Sequence, residues 1–340
     1  MLRSLIIFLV IQLAACAQEG KTEKAWAITS VASPIVTEGV FAGNADMSGI
    51  ASLDGMGCLL VSNETRGAQI GMLTSNPWRL KAGPLIPLIP PRGEEECDFE
   101  SVAVDASTQF YYVLGSHGVS KKKGHPRPEQ EALFRLPVEA TTKLPSPVQV
   151  VPPSSVSLRD WLRRVPGIGE SVGQPLQANG LSMEGLACRE GKLFLGCRSP
   201  HREGKAAILE VEAAVLFSQA AESWPLPTVH WVPLGQGLGV RDLARVKGGF
   251  LILAGDAGVV PTPKFPNPVN YHGDRNFTLF LWKPEAPETV TRIGNLPEVK
   301  ASAEGLLVLE ETDASIKVLI LHDGAYNGAP ALFLLTKPGS

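Results

Sequence analysis

"NGLSMEGLACREGKLFLGC", from Asn179 to Cys197, holds a short apolar strand, a break at Glu190-Gly191 and a second apolar strand. A two-residue polar–glycine break between apolar runs is a tight-turn signal, so the stretch reads as a β-hairpin. Counting outward from the turn sets Cys188 opposite Leu193 and Glu184 beside Cys197 and Arg198. The arrangement recurs in "DMSGIASLDGMGCLLVSNE" from Asp46, "DFESVAVDASTQFYYVLGSHG" from Asp98, "GVRDLARVKGGFLILAGDAG" from Gly239 and "SAEGLLVLEETDASIKVLILHDG" from Ser302. Further strand-like pieces follow most hairpins, such as "AAILEVE" then "TVHWVPL", or "FTLFLW" then "TVTRIG". Repeats that start roughly fifty to sixty residues apart, with one longer interval after Asp98, match four-stranded β-propeller blades. No long amphipathic helix alternates with the strands, which counts against a βαβ fold.

The expected fold is all-β: a β-propeller of five blades, or six if residues 119–180 hold a blade without the hairpin signature. The last repeat runs out of chain after "APALFLL". "AWAITSVA" from Ala25 is the candidate for its missing outer strand, and that closure removes open sheet edges. The same 119–180 insert carries the one helical pattern, "SLRDWLRRV". Ser157 is the expected N-cap, with Asp160 three residues on and Leu158, Trp161, Leu162 and Val165 at helical spacing; Pro166 stops it. Its arginines are expected on a solvated face, as is the run "KKKGHPR" from Lys121, and the helix is expected to pack over one mouth of the propeller.

Of the 340 residues, 44% are hydrophobic, and 34 glycines and 28 prolines fit a turn-rich fold. A formal charge of −3, with no concentrated basic face, argues against a nucleic-acid partner. Ahead of the repeats, Arg3 precedes the apolar run "LIIFLVIQL", too short to span a bilayer but fitting the h-region of a secretory signal. "LAAC" ending at Cys16 resembles the bacterial lipobox, which lipidates its cysteine; "ACA" offers plain secretory cleavage instead. The expected organisation is a signal over residues 1–16, a linker over 17–24 and one propeller over 25–340, in the bacterial envelope, touching the membrane only through a lipid. Four cysteines remain in this oxidising compartment. The hairpin keeps Cys188 and Cys197 too far apart to bridge, a Cys58–Cys97 link stays open, and the spacings do not make a zinc site.

Hairpin geometry also brings the repeated polar positions together. The start of a first strand lies beside the end of the second, which pairs Ser48 with Asn63, Glu100 with Ser116, Glu184 with Arg198, Arg241 with Gly255 and Glu304 with His322. If the first strands are innermost, these residues gather at one mouth of the central channel with Asp46, Glu64, Asp98, His117, Asp242, Asp256 and Asp323. Three readings follow. In the first, the acids pin adjacent blades, each bonding the backbone of its neighbour. In the second, they hold calcium, which takes six to eight oxygens, through Glu100, Glu184, Glu304, Asp98 and Asp46. In the third, they serve catalysis, the acids holding a metal while Arg198, Arg241, His117 and His322 bind an anionic substrate such as a phosphate ester.

"DFESVAVD…FYYVLGSHG", "NGLSMEGLA…GCRSP" and "LGVRDL…GFLILAG" resemble, in order, the recurring stretches of the bacterial family known as domain of unknown function 3616, over roughly residues 40 to 325. The "EGLA"-type hairpin is also similar to those of the esterase-like and calcium-dependent propeller phytases. That likeness implies Glu100, Glu184 and Glu304 as calcium ligands and a calcium-dependent phosphoesterase. The chain departs from it at Ser48 and at Arg241-Asp242, and it lacks a lysine cluster for a polyphosphorylated substrate. The expected function is the binding of a metal ion and a small polar or anionic ligand at the mouth, with a metal-dependent phosphoesterase and an envelope scaffold using the flat faces as the alternatives. "GESVG" from Gly169 has the G-x-S-x-G form, but a helix precedes it and no helix follows, the reverse of a nucleophile elbow.

Overall fold

Apolar runs of alternating facing assemble into five sheets in a computed structural model that describes residues 25–31, 34–89, 97–119, 128–147, 154–273, 276–297 and 301–339. From the inside outward, the first blade runs Met47–Ser52, Gly57–Ser62, Gly67–Thr74 and Arg79–Pro87, with Val36–Glu38 added in parallel at its edge. The second runs Phe99–Asp105, Phe110–Gly115, Ala132–Pro137 and Ser154–Ser157. The third runs Ser182–Arg189, Lys192–Arg202, Lys205–Glu212 and Thr228–Val232. Leu238–Val246, Gly249–Asp256, Thr278–Trp282 and Val290–Asn295 make the fourth. The fifth takes Ser302–Glu311, Ser315–Asp323 and Ala331–Thr336 from the end of the chain, and Ala27–Ser30 from its beginning as the outermost strand. Each inner strand packs against the next, and Ser302–Glu311 returns to Met47–Ser52, so the ring is a closed five-bladed propeller.

The core is divided by the blades. Five apolar clusters form, one at each interface between neighbouring sheets. Period-2 alternation explains the division: on one inner strand, Ile50 faces the fifth blade and Ala51 the second. Phe194 and Phe250 join the third and fourth blades with ring centroids 4.4 Å apart.

Residues 119–180 hold no sixth blade among the described residues; they supply the outer half of the second. The helix is shorter than the spacing implies, Arg159–Leu162, and Ser157 ends the preceding strand instead of capping. Leu158, Trp161, Leu162 and Val165 fill the wedge between the second and third blades, and Trp161 Nε1 donates to the Pro225 carbonyl at 2.8 Å. A second helix, Ala213–Ser218, has no clear sequence signal. All four described cysteines are free and buried, so Cys58 and Cys97 are not joined. Residues 1–16 with Cys16, the linker over 17–24 and the run from Lys121 lie outside the described residues.

Candidate functional site

Every inner strand breaks register close to its beginning. The irregularities fall between Met47 and Gly49, Phe99 and Ser101, Met183 and Gly185, Val240 and Asp242, and Ala303 and Leu306. The residues left over are Ser48, Glu100, Glu184, Arg241 and Glu304 with Gly305. A bulge bends its strand and re-aims a side chain, and here five of them act at one level of one channel. The simple count from the turns missed them, so Met183 rather than Glu184 faces Cys197, and Ala303 faces His322. Glycine after the bulged position lets the next strand come close: a Cβ on Gly185 would sit 2.7 Å from Val240 Cγ1.

Three blades contribute to a row of alternating charge. Arg198 Nη1 lies 3.2 Å from Glu184 Oε1, and Arg241 Nη1 lies 2.7 Å from Glu184 Oε2. Arg241 Nη2 donates to Glu304 Oε1. Glu184, Arg241 and Glu304 are only 3%, 6% and 4% exposed, so each charge depends on the others for compensation. Burial works against ionising Glu184, but the guanidinia of Arg241 and Arg198 outweigh it and hold the carboxyl below its ordinary range. Burial likewise lowers Arg241, opposed by Glu184, and the charges of Glu100 and Asp323 also reach it. Three polar atoms of the row, Glu184 Oε2, Arg241 Nε and Glu304 Oε2, are buried without a hydrogen-bond partner; the first is still engaged by its ion pair with Arg241, which leaves Arg241 Nε and Glu304 Oε2.

One residue below the bulges, Asp242 does the pinning expected of the glutamates. Its carboxylate accepts from Ser101 Oγ at 2.8 Å, Leu306 N at 2.7 Å and Leu243 N at 2.8 Å. Those donors come from the second, fifth and fourth blades, so a single side chain ties the ring across its axis. Burial pushes its carboxyl well above the ordinary range, against the pull of those hydrogen bonds and of the Leu186 N–H. Gly49, Gly185 and Gly305 occupy the matching positions of three other blades.

The remaining expected residues are spread around this centre. Asp98 accepts from Ser116 Oγ at 2.5 Å, and the Asp46 carbonyl accepts from Asn63 N at 3.1 Å. Both are half-buried at the rim, as are Asp256 and Asp323. His117 and His322 are buried at 2% and 0% exposure, with Nδ1 against the carbonyls of Gly115 and Ala329. Burial pushes His117 down to about 4, and the nearby Arg159 charge acts in the same direction, so it is neutral near pH 7. Arg159 itself corrects the solvated-face expectation: it is buried and paired with Glu131, whereas Arg163 and Asp160 form an exposed pair. No spacing in the helix distinguishes Arg159 from its neighbours, because its partner lies on a distant segment.

Arg198 also reaches outward, from Nε to the Asp256 carbonyl at 3.0 Å and from Nη2 to the Gly258 carbonyl at 2.5 Å. The loop that follows crosses to the segment leading into the third blade, where Val269 N meets the Gln177 carbonyl at 2.9 Å and Asn270 Nδ2 meets Asn179 Oδ1 at 2.8 Å. Among the described residues no three Asp, Glu, His or Cys side chains group as metal ligands. Glu184 and Glu304 face guanidinia, in the place that the calcium reading gives to the metal ion.

In sequence, no curated protein matches the chain. Among solved structures it is similar to a GH43 β-1,3-galactosidase, with 12% identity and a TM-score of 0.50, over 91% of this chain and 60% of that one. It also matches the PQQ-bound aldose sugar dehydrogenase of Streptomyces coelicolor, with 12% identity and a TM-score of 0.45 over 92% of this chain and 98% of that one. Likenesses this remote concern the fold alone. Residues 137–329, more than half of the chain, match the family described as protein of unknown function DUF3616, and the chain belongs to that family.

Proposed function

We propose that the protein is an envelope binding protein whose polar channel mouth takes a small polar ligand. The observation that carries this reading is the pair of unsatisfied buried atoms in the charge row, a spare donor at Arg241 Nε and a spare acceptor at Glu304 Oε2. Buried polar atoms in native proteins find partners, from water or ligand where the chain supplies none. A group that both accepts and donates, such as a hydroxyl, answers the two together. A strongly anionic ligand is disfavoured, because Glu184, Glu304, Glu100 and Asp323 outnumber Arg198 and Arg241 around the same point. Calcium is the second guest to test, through the ligands expected from the sequence, Glu100, Glu184, Glu304, Asp98 and Asp46, although no three of them group as metal ligands among the described residues.

The test is a set of melting temperatures with glucose and myo-inositol as hydroxyl-bearing probes, inorganic phosphate as the anionic one, and calcium followed by chelator. A ligand at a hundredfold excess over its dissociation constant raises native stability by about 2.7 kcal/mol. A shift with a hydroxyl-bearing probe that disappears in Glu304→Gln supports the reading. A calcium shift lost in Asp98→Asn and Glu100→Gln adds the cation, and turnover of a phosphate ester in its presence would make the protein an enzyme. No shift with any probe would leave the row as a structural device and turn attention to protein partners on the flat faces.

A further inference from the structure

We propose that the propeller stands on the membrane by the end of its channel opposite the polar mouth, so that the mouth faces away from the bilayer. The inference rests on the lipobox reading of Cys16, and its geometry comes from strand polarity in the fifth blade. Ser302 pairs with Asp323, which places the start of the inner strand and the end of the second strand at the mouth. Ser315, at the other end of that second strand, pairs with Thr336. Thr336 pairs in turn with Ala27, the first residue of the closing strand. The closing strand therefore starts at the end far from the mouth.

Tether length turns this starting point into an orientation. Eleven residue steps separate Cys16 from Ala27, at most about 36–40 Å of fully extended chain. The inner strand of the same blade is 10 residues long and spans about 33 Å. For the mouth to meet the bilayer, the tether would have to run almost fully stretched along the whole height of the blade. That confinement gives up most of its conformational freedom. With the mouth turned away no such stretching is needed. The half-exposed carboxylates of Asp46, Asp98, Asp256 and Asp323 are then also kept off an anionic lipid surface, which would repel them. A ligand would reach the mouth from the aqueous compartment and would not need to cross the lipid.

Energy transfer from a dye on the protein to a headgroup-labelled acceptor lipid tests this on the full-length protein, purified from membranes and returned to anionic vesicles. One dye goes on Lys247→Cys, in the exposed turn between inner and second strands at the far end. The other goes on Glu64→Cys, in the exposed turn between second and third strands at the mouth. The native thiols compete poorly, since all four are buried and burial pushes Cys58 and Cys197 up to about 12. The labels are separated along the channel axis by about 20–30 Å of strand, so transfer from Lys247→Cys should clearly exceed transfer from Glu64→Cys. Equal transfer, or more from the mouth label, overturns the orientation. Cys16→Ser should leave the protein off the vesicles; if it still floats with them, or if the unaltered chain never does, the tether reading fails and the orientation with it. None of these outcomes bears on whether the mouth binds a ligand.

Discussion

The two ends of the channel are built from the same five strands and have opposite chemistry. At the mouth, the bulged positions are Ser48, Glu100, Glu184, Arg241 and Glu304, and the last three join Arg198 in a charge row across three blades. A few residues further along, the strands line a cavity of about 120 Å³ with mostly apolar side chains, among them Ile50, Val102, Leu186, Leu243 and Leu306. Asp242 marks the change, with its carboxylate reaching the second, fourth and fifth blades. The apolar end needs only the period-2 pattern of a packed strand. The mouth needs five register breaks and at least two compensating arginines, a local conflict of the kind expected where a fold accommodates a site.

Breaking the charge row should have the largest effect. Arg241→Met removes the shared partner of Glu184 and Glu304 and leaves two buried carboxylates facing each other. Removing one member of a buried ion pair costs about 3–5 kcal/mol, which denaturant unfolding would read as a lower midpoint at unchanged slope. Adding Glu184→Gln and Glu304→Gln to the same chain should recover most of the loss. If the single variant proves as stable as the parent, the row is not holding the mouth together. Asp242→Asn comes next. The amide keeps one acceptor but points a donor at one of the N–H groups now bound, which should cost about 1–3 kcal/mol in the same measurement.

How far the sequence predicted each end follows the same division. Repeated hairpins identify the propeller, and the shortage of strands after "APALFLL" identifies the closing strand, because both depend on local apolar patterns that the chain spells out. The gathering of Glu184, Arg198, Arg241 and Glu304 was also legible, since hairpin pairing brings strand starts and strand ends together. What the count could not supply was the bulge. An extra residue in one strand leaves the hydrophobic pattern on both sides intact, and glycine after Ser48, Glu184 and Glu304 is its one trace. The division of labour between Glu184, which pairs with arginines, and Asp242, which pins backbone, depends on which side chain points up the axis and which across it. Arg159 was misread for a related reason: helical spacing places it on the helix but carries no sign of Glu131 from a remote segment.

A smaller effect comes from pH. Glu184 is held below its ordinary range in the folded protein, so the stabilisation it gives is present above that range and is lost as pH falls through the lowered folded value. Melting temperature should therefore drop more steeply on acidification in the parent than in Glu184→Gln. Parallel curves would mean that the arginines do not favour the ionised form.

The smallest effect is expected at the apolar end. Ala51→Val adds volume beside the cavity without touching a charge or a bulge. Ala51 also packs in the cluster between the first and second blades, so the added methyl groups should cost about 1 kcal/mol, the low end of overpacking. Ligand shifts measured at the mouth should be unaffected, because Asp242 and the row above it are untouched. If Ala51→Val altered a mouth ligand's shift as strongly as Glu304→Gln does, the two ends would be coupled through Asp242, and the channel would have to be treated as one site with a polar entrance and an apolar floor.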